Sequence, residues 1–223
     1  MNYFSIAIDG PAGAGKSTIA RKIAARLGFI YVDTGAMYRA IALYLIRNGI
    51  KAGEEERISG ACREADVTIR YENGEQVVLL NGENVNGLIR TEEAGKMASA
   101  AAVNHDVRLK LVELQRKLAG EADVIMDGRD IGTFVLPDAG LKIYLTASSK
   151  ERARRRCEEL AGKGISCSPE EVERDIIARD EQDMNRDFAP LKQAEDAIVV
   201  DSSHMSIEEV VDTIIGYYKG AKR

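Results

Sequence analysis

The sequence lacks several features by which whole classes of protein are recognised. It has no tryptophan, and its only histidines, His105 and His204, do not have the spacing of metal ligands. No apolar run approaches the roughly 20 residues that a membrane-spanning helix needs, and the N-terminus has no basic and apolar secretion signal. We therefore expect a cytoplasmic protein with no membrane partner.

Cysteine is also scarce, and the sequence has no excess of positive charge. Cys62, Cys157 and Cys167 are odd in number and form no C-x-x-C pair, so we expect reduced thiols rather than a disulfide framework or a zinc site. The net charge is −5, and we expect no nucleic-acid partner because such proteins carry a basic excess. With 45% hydrophobic and 30% charged residues over 223 positions, the composition is typical of one globular domain.

The strongest motif lies near the N-terminus. An apolar run at 4–9 has the length of a strand, and it leads into Gly-Pro-Ala-Gly-Ala-Gly-Lys-Ser at 10–17, which matches G-x-x-x-x-G-K-[ST] at every fixed position. Ile19, Ile23 and Leu27 then recur four apart, as in a helix whose positive end faces phosphates. The alternative is a glycine-rich turn without a ligand, but the motif stands between a strand and a helix, as phosphate binding requires.

This loop predicts a bound nucleotide, ATP, and a Mg²⁺ ion. Its glycines permit the left-handed or crowded backbone that aims N–H groups at phosphates. Lys16 is expected to reach the β and γ phosphates, and Ser17 to ligate Mg²⁺. Asp127, at the end of a later strand, is the first choice for a further residue that holds Mg²⁺ through water, and Asp33 is the second choice. The residues assigned to ATP along the loop are Gly10, Pro11, Ala12, Gly13, Ala14, Gly15, Lys16, Ser17 and Thr18.

The rest of the chain alternates strands and helices, which predicts a parallel sheet covered on both faces. Further strands are expected at 29–33, 124–127, 141–145 and 197–200. Thr34 is predicted as the N-cap of a helix that ends before Gly49. The stretch 66–87 differs, because alternating residues with Asn-Gly turns at 73–74 and 81–82 predict a three-stranded antiparallel meander. Helices follow it at about 91–101 and 104–119.

The stretch after Leu145 has the pattern of a hinged basic lid. Ser-x-x-Glu capping boxes begin helices at Ser148, Ser168 and Ser206, and Gly-Lys-Gly at 162–164 forms a bend between the first two. The basic cluster comprises Arg152, Arg154, Arg155 and Arg156. A solvated helix, with these arginines paired to Glu151, Glu158 and Glu159, is an equal alternative.

Arginines elsewhere bear on the reaction. No N-K-x-D motif follows the loop, which weakens a GTPase interpretation. A kinase acting on a monophosphate needs no base, because the acceptor is already ionised, but it must hold two anions together. The candidates are Arg39, Arg129, Arg179 and Arg186. Arg179, Asp183 and Arg186 share one helix face, although an intrahelical salt-bridge ladder has the same spacing.

At this point the chain resembles a known family, the bacterial cytidylate kinases of the nucleoside monophosphate kinase group. The resemblance runs from about residue 4 to about 215. It is carried by GPAGAGKS at 10–17, DTGAMYR at 33–39, IRTEE at 89–93, DGRDIGT at 127–133, and RDEQDMNR with APL at 179–191.

The resemblance implies an α/β P-loop NTPase fold in one domain, 1–223. The meander would belong to an acceptor-binding insertion at 62–120, and 148–187 would form the helical lid. The implied reaction converts CMP or dCMP and ATP to the diphosphate and ADP. We expect a monomer that binds these nucleotides. Two alternatives remain, a kinase of another small metabolite such as a shikimate-type acid, and a nucleotide-gated binding protein without transfer activity.

The resemblance also implies residue roles. Lys16, Arg129, Arg179 and Arg186 would be catalytic, and Arg156 would contact ATP. The acceptor phosphate would be bound by Arg39, Arg129 and Arg186, and the sugar by Arg179 and Asp183. The cytosine base would be bound by Ser99, Arg108 and Asp130. Thr34 would lie in the acceptor pocket. For Asp130, a structural role beside Arg129 or the next segment is the alternative.

Overall fold

The computed structural model describes residues 3–162 and 164–222, which divide into two compact units. The insertion unit consists of Tyr3 and Ile30–Val124, and the phosphate-loop unit contains Phe4–Phe29 with the described residues from Ile125 onward. Lys163, in the predicted bend, lies outside the described residues. Within the part of the chain that the structure describes, no helix has both the length and the apolar character to cross a membrane.

The described strands and helices alternate along most of the chain. In order they are β1 (Ser5–Asp9), α1 (Lys16–Leu27), β2 (Ile30–Asp33), α2 (Thr34–Arg47), α3 (Glu55–Glu64), β3 (Val67–Glu72), β4 (Glu75–Leu80), β5 (Glu83–Asn84), α4 (Glu92–Ala101), α5 (His105–Ala119), β6 (Val124–Gly128), a π-helical turn (Ile131–Val135), β7 (Leu141–Thr146), α6 (Ser149–Ala161), α7 (Pro169–Asn185), β8 (Ile198–Asp201) and α8 (Ile207–Ala221).

The predicted central sheet is confirmed. Its five strands have the order β2-β6-β1-β7-β8, and β7 pairs in parallel with both β1 and β8. Consecutive residues Ile6, Ala7 and Ile8 of β1 are all fully buried. Because neighbouring residues of a strand point to opposite faces, both faces of the sheet are covered at this strand.

The predicted three-stranded antiparallel sheet is also confirmed, as β3-β4-β5 within the insertion unit. The register between β3 and β4 runs from Val67 opposite Leu80 to Glu72 opposite Glu75. At the first turn Asn73 and Gly74 have φ of 53° and 80°. Two central residues with positive φ make the tight turn that matches the twist of paired strands. Asn and Gly adopt positive φ more readily than other residues, so the Asn-Gly pair predicted this turn.

One local prediction needs correction. Asp33, not Thr34, is the N-cap of α2, because its carboxylate accepts the Ala36 N–H at 2.9 Å while Thr34 is already the first helical residue. The stretch 51–65, to which no element was assigned from its sequence, contains α3.

The expectation of reduced thiols is wrong for two of the three cysteines. Cys157 of α6 and Cys167, just before α7, form a disulfide, with their Cα atoms 5.9 Å apart. The two helices pack side by side and bring together cysteines that are ten positions apart in sequence. Cys62 is a free, buried thiol, and burial raises its pKa.

Candidate active site

The phosphate loop joins β1 to α1 as predicted, and its glycines have the expected backbone. Gly10, Gly13 and Gly15 have φ of 146°, 75° and 85°. At Gly10 a Cβ atom would lie only 2.0 Å from the Leu145 carbonyl oxygen, so no other residue fits there. Gly15 has a left-handed backbone conformation and is the N-cap of α1, whose first residue is Lys16. The first N–H groups of the helix therefore point into the loop.

Lys16 is the charge at the centre of this loop. Its Nζ donates to the carbonyl oxygens of Gly10 at 2.8 Å and Pro11 at 2.7 Å, and the residue is buried. Burial, followed by the positive charge of Arg129, lowers the Lys16 pKa well below its usual value. Asp127 acts in the opposite direction. Lys16, Arg129 and Asp127 therefore share one electrostatic environment, and their catalytic and metal-binding roles stay predictions.

The metal prediction has a matching pair of oxygen ligands in the same unit. The Ser17 hydroxyl donates to Asp127 Oδ2 at 2.7 Å, and a hydroxyl and a carboxylate at this separation are ligands that Mg²⁺ prefers. Asp33, the second choice, is already engaged: besides capping α2, it pairs with Arg90 at 2.9 Å. The geometry therefore favours Ser17 and Asp127.

Four predicted residues come together in a charged cluster. Arg129 Nε donates to Asp183 at 2.7 Å, and Arg186 lies 3.9 Å from the other oxygen of Asp183 and 3.4 Å from Asp130. Arg186 also donates to the Ala189 carbonyl at 2.6 Å. The cluster joins the end of β6 to the C-terminal end of α7. The i+3 pair between Asp183 and Arg186 is a contact that the intrahelical salt-bridge ladder would also make. The contact between Arg129 and Asp183 is not part of such a ladder, because Arg129 lies at the end of β6.

Arg179 lies on α7 one turn before Asp183, half-buried. Thr18 is exposed in the first turn of α1. Both stand where the sequence placed them, and their roles in binding stay predictions.

In the insertion unit, Arg39 lies on α2 beside the segment that enters α4. Its Nη1 atom donates to the carbonyls of Ile89 at 3.3 Å and Thr91 at 3.5 Å. Gly95 of α4 allows this approach, since a Cβ there would lie 3.1 Å from Arg39 Nη1. Thr34 is buried in the first turn of α2.

Arg108, the predicted base-reading arginine, is almost completely buried on α5, at 1% exposed. Its guanidinium donates to the Ala102 carbonyl at 3.3 Å and lies 5.7 Å from the centre of the Tyr38 ring. Buried arginines need such partners, and the ring face is an electrostatically favourable one. Ser99 is half-buried on α4.

The predicted lid arginines separate into two groups. Arg154, Arg155 and Arg156 make the ion pairs of the solvated-helix alternative: Arg154 and Arg155 with Glu151 at 2.7 and 2.8 Å, and Arg156 with Glu159 at 2.7 Å. Arg152 is different, because it is buried and pairs with Asp180 of α7 at 2.5 Å. The contact between Arg156 and ATP stays a prediction.

Asp9, at the end of β1, is a site residue that the sequence did not single out. Its carboxylate accepts the N–H groups of Ile131 at 2.8 Å and Gly132 at 2.7 Å. Burial raises its pKa to about 6, against the effect of these hydrogen bonds. The only signal in the sequence is an acid that ends an otherwise apolar strand just before the loop.

Comparisons with solved structures concern the fold. An uncharacterized protein from Eubacterium ventriosum aligns with a TM-score of 0.55 at 11% identity, over 96% of this chain and 97% of the other. A gluconokinase from Sinorhizobium meliloti 1021 aligns with a TM-score of 0.50 at 13% identity, over 99% of this chain and 95% of the other. At these identities the structural likeness shows the fold alone.

The sequence relationship is much stronger. The cytidylate kinase of Desulfitobacterium hafniense is 53% identical over 213 residues, covering 96% of this chain and 91% of that protein. The cytidylate kinase of Caldicellulosiruptor bescii is 48% identical over 223 residues, covering 100% and 99%. The cytidylate kinase family model matches residues 6–220. The chain therefore belongs to the cytidylate kinase family.

Proposed function

We propose that this protein transfers the γ-phosphoryl group of ATP to CMP and dCMP, which yields ADP and the cytidine diphosphates. One observation carries the proposal most directly: the phosphate loop buries Lys16 at its centre and holds the Ser17 hydroxyl 2.7 Å from Asp127. Such an arrangement can hold a polyphosphate and stabilise charge on a migrating phosphoryl group. The family match extends it from phosphate binding to this reaction.

The donor triphosphate is proposed to bind the loop at 10–18. Lys16 would exchange its two carbonyl partners for the β and γ phosphates. Ser17 and Asp127 would hold Mg²⁺, with Asp33 as the reserve choice, and the ion would neutralise charge shared by the β and γ phosphates. The Ser17 to Asp127 distance of 2.7 Å supports this choice of ligands.

The acceptor phosphate needs cations rather than a base. A phosphate monoester with a second pKa of about 6 is largely dianionic at neutral pH and can attack without losing a proton to the protein. We assign Arg39, Arg129 and Arg186 to this phosphate. Arg129 and Arg186 are held in place by Asp183 and Asp130, so their guanidinium planes are oriented before substrate arrives.

The remaining assignments concern the nucleoside. Arg179 and Asp183 are proposed to contact the sugar, and Ser99, Arg108 and Asp130 the cytosine, with Thr34 in the acceptor pocket. Cytosine offers an amino donor at position 4 and acceptors at N3 and O2. A carboxylate can accept from the first, and an arginine can donate to the other two.

We also propose that helices α6 and α7, with the bend between them, form a lid over ATP to which Arg156 contributes, and that the acceptor-binding insertion covers 62–120. The protein would act as a monomer in the cytoplasm, where ATP and CMP are available. Light scattering would test the oligomeric state.

A panel of acceptors tests the function. The protein is mixed with ATP and Mg²⁺ and then with CMP, dCMP, UMP, AMP or shikimate, and ADP release is measured. CMP and dCMP should accelerate it most. Faster release with shikimate would identify a kinase of another metabolite, and no release with any acceptor would identify a binding protein. Lys16→Ala is the control, because loss of this cation should reduce turnover more than CMP binding.

A further inference from the structure

The phosphate loop is held from outside by a buried ion pair that the proposed function does not use. Ala12, in the middle of the loop, donates its N–H to Asp180 Oδ1 at 2.8 Å. Its carbonyl accepts from Arg152 Nη1 at 2.7 Å. Arg152 and Asp180 pair with each other at 2.5 Å. Both polar backbone groups of one loop residue are thus bound by two side chains, which come from α6 and α7.

The three residues form a closed and buried ring. Ala12, Arg152 and Asp180 are 7%, 7% and 6% exposed. Arg152 is also fixed at its base, where Nε donates to the Ala147 carbonyl at 3.0 Å. A buried charge pair of this kind is costly to break, because removing one partner leaves the other desolvated and unpaired. The ring therefore has one strongly preferred geometry.

This geometry bears on ATP binding. Gly13, the next loop residue, packs so tightly against the pair that a Cβ there would lie 3.3 Å from Arg152 Cβ. The Ala12 N–H and carbonyl belong to the two peptide groups on either side of its Cα, so the ring holds the direction of both. The proposed function assigns the N–H groups of the loop residues that follow to the phosphates. We propose that Arg152 and Asp180 are positioning residues that hold the phosphate loop in its ATP-binding conformation.

The ring also limits how the proposed lid can move, and this part of the proposal rests on the proposed function. Arg152 stands in the first turn of α6, and Asp180 in the second half of α7. A lid movement that preserves the ring must therefore take place between these two residues. The bases of both helices would stay with the loop, and only the part that carries Arg156 would close over ATP.

Substitutions that break the ring test the proposal. Asp180→Asn keeps an acceptor for the Ala12 N–H but removes the charge that balances Arg152. Arg152→Lys keeps a cation but cannot bond Ala12, Ala147 and Asp180 at once. Each variant should raise the dissociation constant of ATP by about tenfold or more, because a smaller fraction of the loop is in the binding conformation. The KM for CMP should change little.

Calorimetric titration with ATP, and with inorganic tripolyphosphate, separates positioning from folding. A positioning role raises the dissociation constant of both ligands and leaves the stoichiometry unchanged. A purely structural role lowers the stoichiometry, since fewer molecules are folded, and leaves the dissociation constant of the folded ones as in the wild type. That second result, or tighter binding by either variant, would overturn the proposal.

The matched controls are Glu181→Gln and Lys150→Gln, exposed positions on the same helices. They remove one charge each without touching the ring, and should bind ATP as the wild type does. If Asp180→Asn does not fold, Arg152→Lys decides. Wild-type protein that binds ATP but does not phosphorylate CMP would overturn the proposed function alone, because the binding measurements would still test the ring.

Discussion

At the scale of single residues, Arg39 depends on a glycine in another helix. Gly95 lies inside α4, where a Cβ would stand 3.1 Å from Arg39 Nη1 and 3.5 Å from Nη2. Glycine in a helix interior costs about 1 kcal/mol relative to alanine. The molecule thus keeps a poor helix former at the place where the arginine assigned to the acceptor phosphate needs room.

Gly95→Ala should therefore separate stability from activity. We expect the free energy of unfolding to rise by up to about 1 kcal/mol, while Arg39 is displaced by a few tenths of an ångström and the KM for CMP rises by about tenfold or less. Urea unfolding and initial rates measure the two effects. Gly60→Ala in α3 is the control, because nothing lies within 4 Å of its added Cβ, and it should change stability alone. An unchanged KM in Gly95→Ala would contradict the role given to Arg39.

Asp130 has contacts that fit both of its possible roles. Its carboxylate lies 3.4 Å from Arg186, and its backbone carbonyl accepts from Phe134 at 2.9 Å and Val135 at 3.1 Å, which begins the π-helical turn. The second contact belongs to the backbone and survives any substitution. A change of side chain therefore tests the carboxylate by itself.

Asp130→Asn should weaken the use of CMP and narrow its advantage over UMP, because an amide can turn its own donor toward the uracil carbonyl. One base-edge contact discriminates by about 1–3 kcal/mol, so the ratio of kcat/KM for CMP to that for UMP should fall by about 10-fold to 100-fold. Steady-state rates with both acceptors give this ratio. If both rates fall together and the ratio stays constant, Asp130 positions Arg186 and cytosine is recognised by other residues.

Site residues could be predicted where their spacing along the chain reflects their chemistry. The loop at 10–17 is such a case. Asp9 and Asp180 were not predicted, since their partners are distant in sequence: Ile131 is 122 residues from Asp9, and Ala12 is 168 residues from Asp180. No local period connects such pairs. The same holds for Gly95, whose importance depends on a side chain from α2.

At the scale of elements, local chemistry decided which parts were predictable. The hairpin of β3 and β4 carries its turn signal in Asn73 and Gly74. Helix α3 has no such signal, because its N-cap is Glu54, which makes no side-chain capping bond. The π-helical turn depends on Asp9, whose carboxylate binds the first two N–H groups of that segment. An element held by a distant residue leaves no mark in its own sequence.

The disulfide predicts a redox effect on the proposed lid. Cys157 and Cys167 join α6 to the start of α7 and restrain the segment between them. Reduction should speed hydrogen exchange across 157–170, and ATP analogue with CMP should then slow exchange more in the reduced than in the oxidised protein, because there is more motion to lose. Mass spectrometry of exchanged peptides measures both.

Cys62→Ala is the control for the reducing treatment. This cysteine is free and belongs to the insertion unit, so the variant should show the same change in exchange on reduction. Cys157→Ser should exchange like the reduced protein under all conditions. Equal exchange in the oxidised and reduced wild type would show that the disulfide does not restrain this segment.

At the scale of the whole molecule, the parallel sheet followed from short apolar strands that alternate with helices. Its burial explains why this worked: every residue of β1 from Ile6 to Asp9 is buried, so the strand needs an uninterrupted apolar run that ends in one acid. The division into two compact units has no such local mark, because it depends on how distant segments pack. The stability of the folded chain likewise depends on titratable groups that become buried when distant segments pack together.

Asp9 gives the folded protein an unusual dependence on pH. Burial raises its pKa from 3.8 to about 6, and the negative charge of Asp130 contributes. The folded state therefore holds a proton that the unfolded state releases. Unfolding becomes more favourable as pH rises through this interval, by an amount of order 3 kcal/mol, and no further change from Asp9 is expected above the folded pKa.

Acids whose pKa is lowered in the folded state change the free energy of unfolding in a lower pH interval and in the opposite direction. Hydrogen bonds from Arg154, and then from Arg155, lower the pKa of Glu151 to about 2. Such groups stabilise the folded state when ionised, so stability rises with pH up to the unfolded value of 4.5. The contributions of these two acids to the free energy of unfolding therefore have opposite signs: that of Glu151 rises with pH up to about 4.5, and that of Asp9 falls with pH up to about 6.

Asp9→Asn isolates the contribution of Asp9. Asparagine matches the protonated side chain in size and cannot titrate, although its amide can accept only one of the two N–H groups that Asp9 accepts. We expect the variant to lose the fall in stability that Asp9 contributes between about pH 4 and 6 and to keep the rise that other acids contribute below pH 4.5. Urea unfolding of both proteins at half-unit steps of pH gives the two curves. If they run parallel from pH 4 to 7, Asp9 ionises in the folded state as it does in the unfolded chain, and the loss of stability comes from another group.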